Sequence, residues 1–136
     1  MTDITLSGRC LCGTARFQVT GTLFRFFHCH CELCRRASGT GHASNIILNP
    51  ASIDWQSGES SIKRYKVPEA DRFATVFCTN CGGPVPREHG DMVVLPAGTL
   101  DAPFERAPDA RIFWGSRAPW SCEAGSVPAF SEYPTA

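Results

Sequence analysis

The chain has 136 residues, 43% of them hydrophobic, with 13 basic and 13 acidic side chains. That length fits one domain with one core, the apolar and aromatic content excludes a disordered chain, and zero formal net charge removes the electrostatic footprint of a nucleic-acid binder. No run approaches the roughly 20 apolar residues of a membrane span, and MTDITLSGRC lacks the basic and apolar regions of a secretory signal. The expectation is a cytoplasmic protein with no nucleic-acid or membrane partner.

In chain order, short extended runs bounded by turn residues predict strands. Thr14–Thr20 alternates and stops at Gly21, and Phe24–His30 is aromatic and extended. His42–Leu48 runs to Asn49–Pro50, Ser61–Val67 to Pro68, and Arg72–Cys78 into a turn. Met92–Leu95 and Arg111–Trp114 are the last two. No window holds a sustained 3.6-residue apolar period, and ten prolines and twelve glycines interrupt the chain. One helical turn is expected, at Glu32–Ala37. The fold class is therefore all-β, with residues 1–122 as a single domain and Glu123–Ala136 as a C-terminal tail on the surface.

Eight cysteines stand out, and seven fall into three groups. Cys10 and Cys12 form C-x-C, Cys29, Cys31 and Cys34 form C-x-C-x-x-C, and Cys78 and Cys81 form C-x-x-C. Without a signal sequence, such clusters read as metal ligands more readily than as disulfides. Zinc takes thiolates in a tetrahedral array, four in a structural site and three plus an open position in a catalytic one. Residues i and i+2 of an extended segment share a face, so C-x-C can offer both sulfurs to one ion. C-x-x-C does the same through a turn, and Gly82 and Gly83 after Cys81, like Gly13 after Cys12, suit such a turn.

Two pairs plus a trio predict two ions. The pairs can close one site, leaving three ligands for the other; alternatively the trio borrows a fourth ligand, with His28 or His30 the candidates. If Phe24–Cys31 is extended, both histidines lie on the face opposite Cys29 and Cys31 and point away from the metal. Closed structural sites, disulfides and an iron–sulfur cluster remain alternatives, although neither common ferredoxin spacing is present. Cys122 stands alone, either a reactive thiol near the site or a small buried residue beside Trp120.

The segments GRCLCGTARF, HCHCELCRRASG and FCTNCGGPV resemble the glutathione-dependent formaldehyde-activating, or centromere-protein-V-like, family. LPAGTLDAP and RIFWGSRAPW are similar to its downstream segments, so the resemblance runs from Gly8 to Trp120. It implies an Mss4-like fold of twisted antiparallel sheets with zinc-bound loops. It also implies that Cys10, Cys12, Cys78 and Cys81 are structural zinc ligands and that Cys29, Cys31 and Cys34 hold a catalytic zinc. The implied activity is that of a carbon–sulfur lyase joining glutathione, as co-substrate, to formaldehyde. Arg35 and Arg36, beside Cys34, could pair with a glutathione carboxylate, and Ser38 and Thr40 could donate hydrogen bonds nearby. Pro84 and Pro86 are expected to disturb strand pairing after Cys81. The alternative function is a non-enzymatic zinc module or thiol carrier that binds a protein partner.

Overall fold

The structure, a computed structural model, describes residues 3–121 and 127–134. Eight strands run in the order β1 (Asp3–Arg9), β2 (Arg16–Cys29), β3 (Ala43–Ser57), β4 (Ile62–Lys66), β5 (Ala74–Cys78), β6 (Arg87–His89), β7 (Met92–Pro96) and β8 (Ala110–Ile112). One helix, α1 (Glu32–Ser38), lies between β2 and β3, where the single turn is expected. The larger sheet has the order β1-β2-β3-β7-β6, with β8 added beside β2, and β4 and β5 form a second sheet. Every pair is antiparallel except β2 with β8, a three-residue parallel contact from Phe27–Ala110 to Cys29–Ile112. Among the described residues no helix is long and apolar enough to cross a membrane.

Two breaks expected from the sequence do not occur. Thr14–Thr20 and Phe24–His30 fall largely within the one 14-residue strand β2. Gly21 bends that strand rather than ending it: a Cβ there would lie 2.3 Å from the Pro50 carbonyl oxygen and 2.5 Å from the Ala51 Cβ. Only glycine permits so close an approach, and the β2–β3 register shifts just beyond it. Opposite, β3 runs through Asn49–Pro50 to Ser57. Proline has no N–H to give the ladder, and the next amide, Ala51, donates instead to the Asp91 carbonyl at 2.8 Å. Strand β1 was not expected, although Ile4 and Leu6 alternate with Thr5 and Ser7 and pack on the core.

The prolines after Cys81 limit pairing without abolishing it. Val85 N–H donates to the Val76 carbonyl at 3.0 Å and its side chain is buried, while Pro84 and Pro86 on either side have no N–H to donate. The core gathers Phe17 and Val19 of β2, Ile46 and Leu48 of β3, Val93 and Leu95 of β7, and Val76 and Cys78 of β5. Both sheets therefore face one apolar interior, where each fully buried large side chain contributes roughly 1.5–3 kcal/mol. Residues 127–134 are exposed and carry no strand or helix. Cys122 lies outside the described residues.

Candidate metal centres

The β1–β2 turn carries Cys10 and Cys12, and the end of β5 with its following turn carries Cys78 and Cys81. Folding brings the two turns together, and all four sulfurs lie within 4.8 Å of one another. Cys10 Sγ is 3.7 Å from Cys12 Sγ, and Cys12 Sγ is 3.9 Å from Cys78 Sγ across 66 residues of chain. Tetrahedral zinc with Zn–S bonds of about 2.3 Å requires S···S edges of about 3.8 Å. Those separations are far too long for a disulfide, and all seven described cysteines are free. The donor set and its spacing therefore fit a four-thiolate ion.

Local hydrogen bonds prepare these sulfurs. Thr14 Oγ1 and Asn80 Nδ2 each lie 3.2 Å from Cys12 Sγ and draw its pKa down to about 5. Ala15 N–H donates to Cys10 Sγ at 3.3 Å and Gly83 N–H to Cys81 Sγ at 3.4 Å. Gly82 turns the chain with φ 75°, and a Cβ at Gly83 would press within 3.1 Å of the Leu11 nitrogen. Glycine takes the left-handed turn at Gly82 without strain and leaves Gly83 uncrowded, with its amide on sulfur. Sequence reasoning did not find Asn80 or Thr14, since neither follows from the cysteine spacing.

The second group forms where β2 gives way to α1. Cys29 ends β2, Cys31 caps the helix by accepting from Cys34 N–H at 3.3 Å, and Cys34 lies on its buried side. Gly39 closes the helix and Ser38 Oγ donates to the Cys34 carbonyl at 2.7 Å, so Ser38 secures the turn. The three sulfurs lie within 4.8 Å of one another, and among the described residues no fourth histidine, cysteine or carboxylate ligand atom joins them. Burial, reinforced by the neighbouring thiols, pushes the Cys34 pKa up, and burial raises that of Cys29.

His28 and His30 stay apart from both groups. His28 stacks on His42 with ring centroids 4.0 Å apart, and His30, only 2% exposed, packs against His42 and edge-on to Trp114. Burial lowers the pKa of both histidines.

All three cysteines line a small cavity of about 380 Å³ whose other walls include Phe27, Ile47, Phe73 and Val94. Beside it lies a larger cavity of about 1160 Å³, and the two share Leu33, Cys34, Asn45, Phe73 and Arg87. Arg36 and Thr40 line the larger cavity; Arg35 lines neither. Arg36 is exposed and paired with Glu32 at 3.0 Å, an interaction weak enough in water to exchange for a ligand. Arg87 is a wall residue of both cavities that the cysteine motifs do not point to.

An all-β domain with four gathered thiols where two turns meet, and three more lining a cavity, is a cysteine-rich protein whose two thiol groups could each hold a metal ion. The chain belongs to the glutathione-dependent formaldehyde-activating enzyme family, whose model matches residues 5–116. No curated protein matches the sequence. The fold is similar to that in a crystal structure of a Rhodobacter sphaeroides protein from a structural genomics programme. That likeness has a TM-score of 0.57 at 18% identity and covers 78% of this chain and 99% of the other.

Proposed function

We propose that this chain is a zinc-dependent carbon–sulfur lyase or synthase that handles a glutathione–aldehyde adduct, S-(hydroxymethyl)glutathione in the case of formaldehyde. The observation that carries the reading is the three-cysteine group, which lacks a fourth protein ligand among the described residues and opens into a cavity. In this reading Cys10, Cys12, Cys78 and Cys81 hold a structural zinc, and Cys29, Cys31 and Cys34 hold the reactive one. Zinc held by three thiolates supplies a cation that favours the thiolate form of a substrate sulfur at the remaining position.

The chain's own residues do the rest. The lining of the small cavity is mostly apolar, and the larger cavity next to it offers room for the peptide part of glutathione. Arg36 is the better situated of the two arginines beside Cys34 to take a glutathione carboxylate bidentately, because it lines that larger cavity. Addition forms a C–S bond from sulfur to the aldehyde carbon. The carbonyl π pair moves to oxygen, and the proton given up by the thiol ends there. The reverse reaction releases thiol and aldehyde. We place the protein in the cytoplasm, where glutathione is abundant.

Cobalt exchanged into the three-cysteine site tests the reading, because thiolate ligation changes its visible charge-transfer bands. Glutathione should shift the spectrum, Cys31→Ser should abolish the shift, and Arg36→Ala should weaken glutathione more than mercaptoethanol. A spectrum unmoved by millimolar glutathione would remove the glutathione reading.

A further inference from the structure

Arg87 is the first residue of β6, where the chain rejoins the main sheet after Pro86. It pairs with Val94 of β7, and Val94 in turn pairs with Ile47 of β3. Residues directly opposed in antiparallel strands share a face. Arg87, Val94 and Ile47 therefore form one row across the sheet, and all three line the cavity that holds Cys29, Cys31 and Cys34. Of these three only Arg87 is polar; Arg25 stands opposite Ile47 on β2 but does not line the cavity.

Arg87 is a half-buried cation. Arg87 Nε is buried and has no hydrogen-bond acceptor, and among the described residues its guanidinium forms no ion pair with a carboxylate. The Phe73 ring lies 5.5 Å from the guanidinium carbon. Burial lowers its pKa and the sulfurs of Cys34, Cys29 and Cys31 act to raise it, which marks its nearness to the three-cysteine group. Arginine nevertheless keeps its proton in proteins, so it offers hydrogen-bond donors and no acceptor. Three thiolates on a divalent cation carry a net negative charge. The metal could still bond a substrate sulfur directly, but the net charge of such a centre opposes negative charge growing on the aldehyde oxygen, so the oxygen needs a donor from elsewhere.

We infer that the Arg87 guanidinium receives the substrate oxygen in the three-cysteine cavity, donating to it as the carbonyl becomes an alkoxide. The inference rests on the reading of that cavity as the reacting centre and names the residue that reading lacks. In the step, the sulfur lone pair forms the C–S bond, the π pair goes to oxygen, and the thiol's proton ends on that oxygen. Arg87 stays protonated throughout, and nothing is oxidised or reduced.

Two thiols of similar size separate this role from simple charge balance. Ethanethiol is neutral, whereas mercaptoacetate bears anionic oxygens close to its sulfur. With cobalt in the three-cysteine site, the unaltered protein should bind mercaptoacetate at least as tightly as ethanethiol. Arg87→Met and Arg87→Gln should weaken mercaptoacetate about tenfold or more, as expected for a lost charge-assisted hydrogen bond, and leave ethanethiol within about threefold. Arg87→Lys should fall between. Two neutral variants are used so that a folding failure in one leaves the other to decide. Equal weakening of both thiols would show that Arg87 only balances the metal centre, and would overturn the inference while leaving the open position intact. A spectrum that no thiol moves would overturn the open position and this inference with it.

Discussion

The four-cysteine group should be the costlier of the two to remove, because of the length of chain it closes. Cys12 and Cys78 are 66 residues apart in sequence and their sulfurs are 3.9 Å apart in space. Treated as a cross-link, a clip over a loop of that length removes about 4 kcal/mol of denatured-state entropy at 25 °C. The trio spans only residues 29–34, and the same relation gives about 2 kcal/mol for so short a loop. The double variant Cys78→Ala/Cys81→Ala takes the end of β5 out of the clip, whereas Cys31→Ala/Cys34→Ala opens only the local one. For a domain of this size each kcal/mol moves Tm by roughly 3–5 °C. The first variant should then melt about 12–20 °C lower and the second about 6–10 °C lower. Cys78 and Cys34 are both buried, so the cavity left by alanine adds to both falls. Thermal melting of zinc-loaded protein measures both, and chelator-treated unaltered protein supplies the reference without the cavity. Equal losses from the two variants, together with an undiminished Tm after chelation, would refute the cross-link reasoning.

Protein purified without chelator should carry close to two zinc ions per chain by elemental analysis; a folded protein with one or fewer would contradict the pairing of seven cysteines into two sites. Acid should empty the three-cysteine site first. Its Cys29 and Cys34 both have raised pKa values, whereas the four-cysteine group has one raised, Cys78, and two lowered, Cys81 and Cys12, the last to about 5, so protons compete at higher pH in the three-cysteine group. A titration from pH 8 downward, read by cobalt bands or metal release, should show two steps; simultaneous loss, or loss from the four-cysteine site first, would count against this order. Gly21→Ala should cost roughly 1–3 kcal/mol, because the new methyl group meets the Pro50 carbonyl oxygen and the Ala51 Cβ. Urea unfolding would measure it, and a loss below about 0.5 kcal/mol would mean that β2 and β3 separate there with little effort.

What the sequence by itself determined was local. C-x-C and C-x-x-C put sulfurs on one face or around one turn whatever the rest of the chain does, so the three cysteine groups and the helical turn over the trio were legible from spacing. The strand alternation that turns His28 away from Cys29 was legible for the same reason. Tertiary structure decided which groups join. Spacing alone left the partition of seven ligands open, and only the packing of β5 beside the β1–β2 turn brings Cys78 and Cys81 to Cys10 and Cys12. It also decided that Gly21 and Pro50 bend two long strands rather than ending four short ones, because a turn signal can be overridden when two backbones need to approach closely. Asn80 and Thr14 beside Cys12, and Arg87 in the wall of the three-cysteine cavity, belong to this second kind. Arg87 reaches the trio through sheet register, and register depends on cross-strand partners distant in sequence. No short-range pattern encodes it.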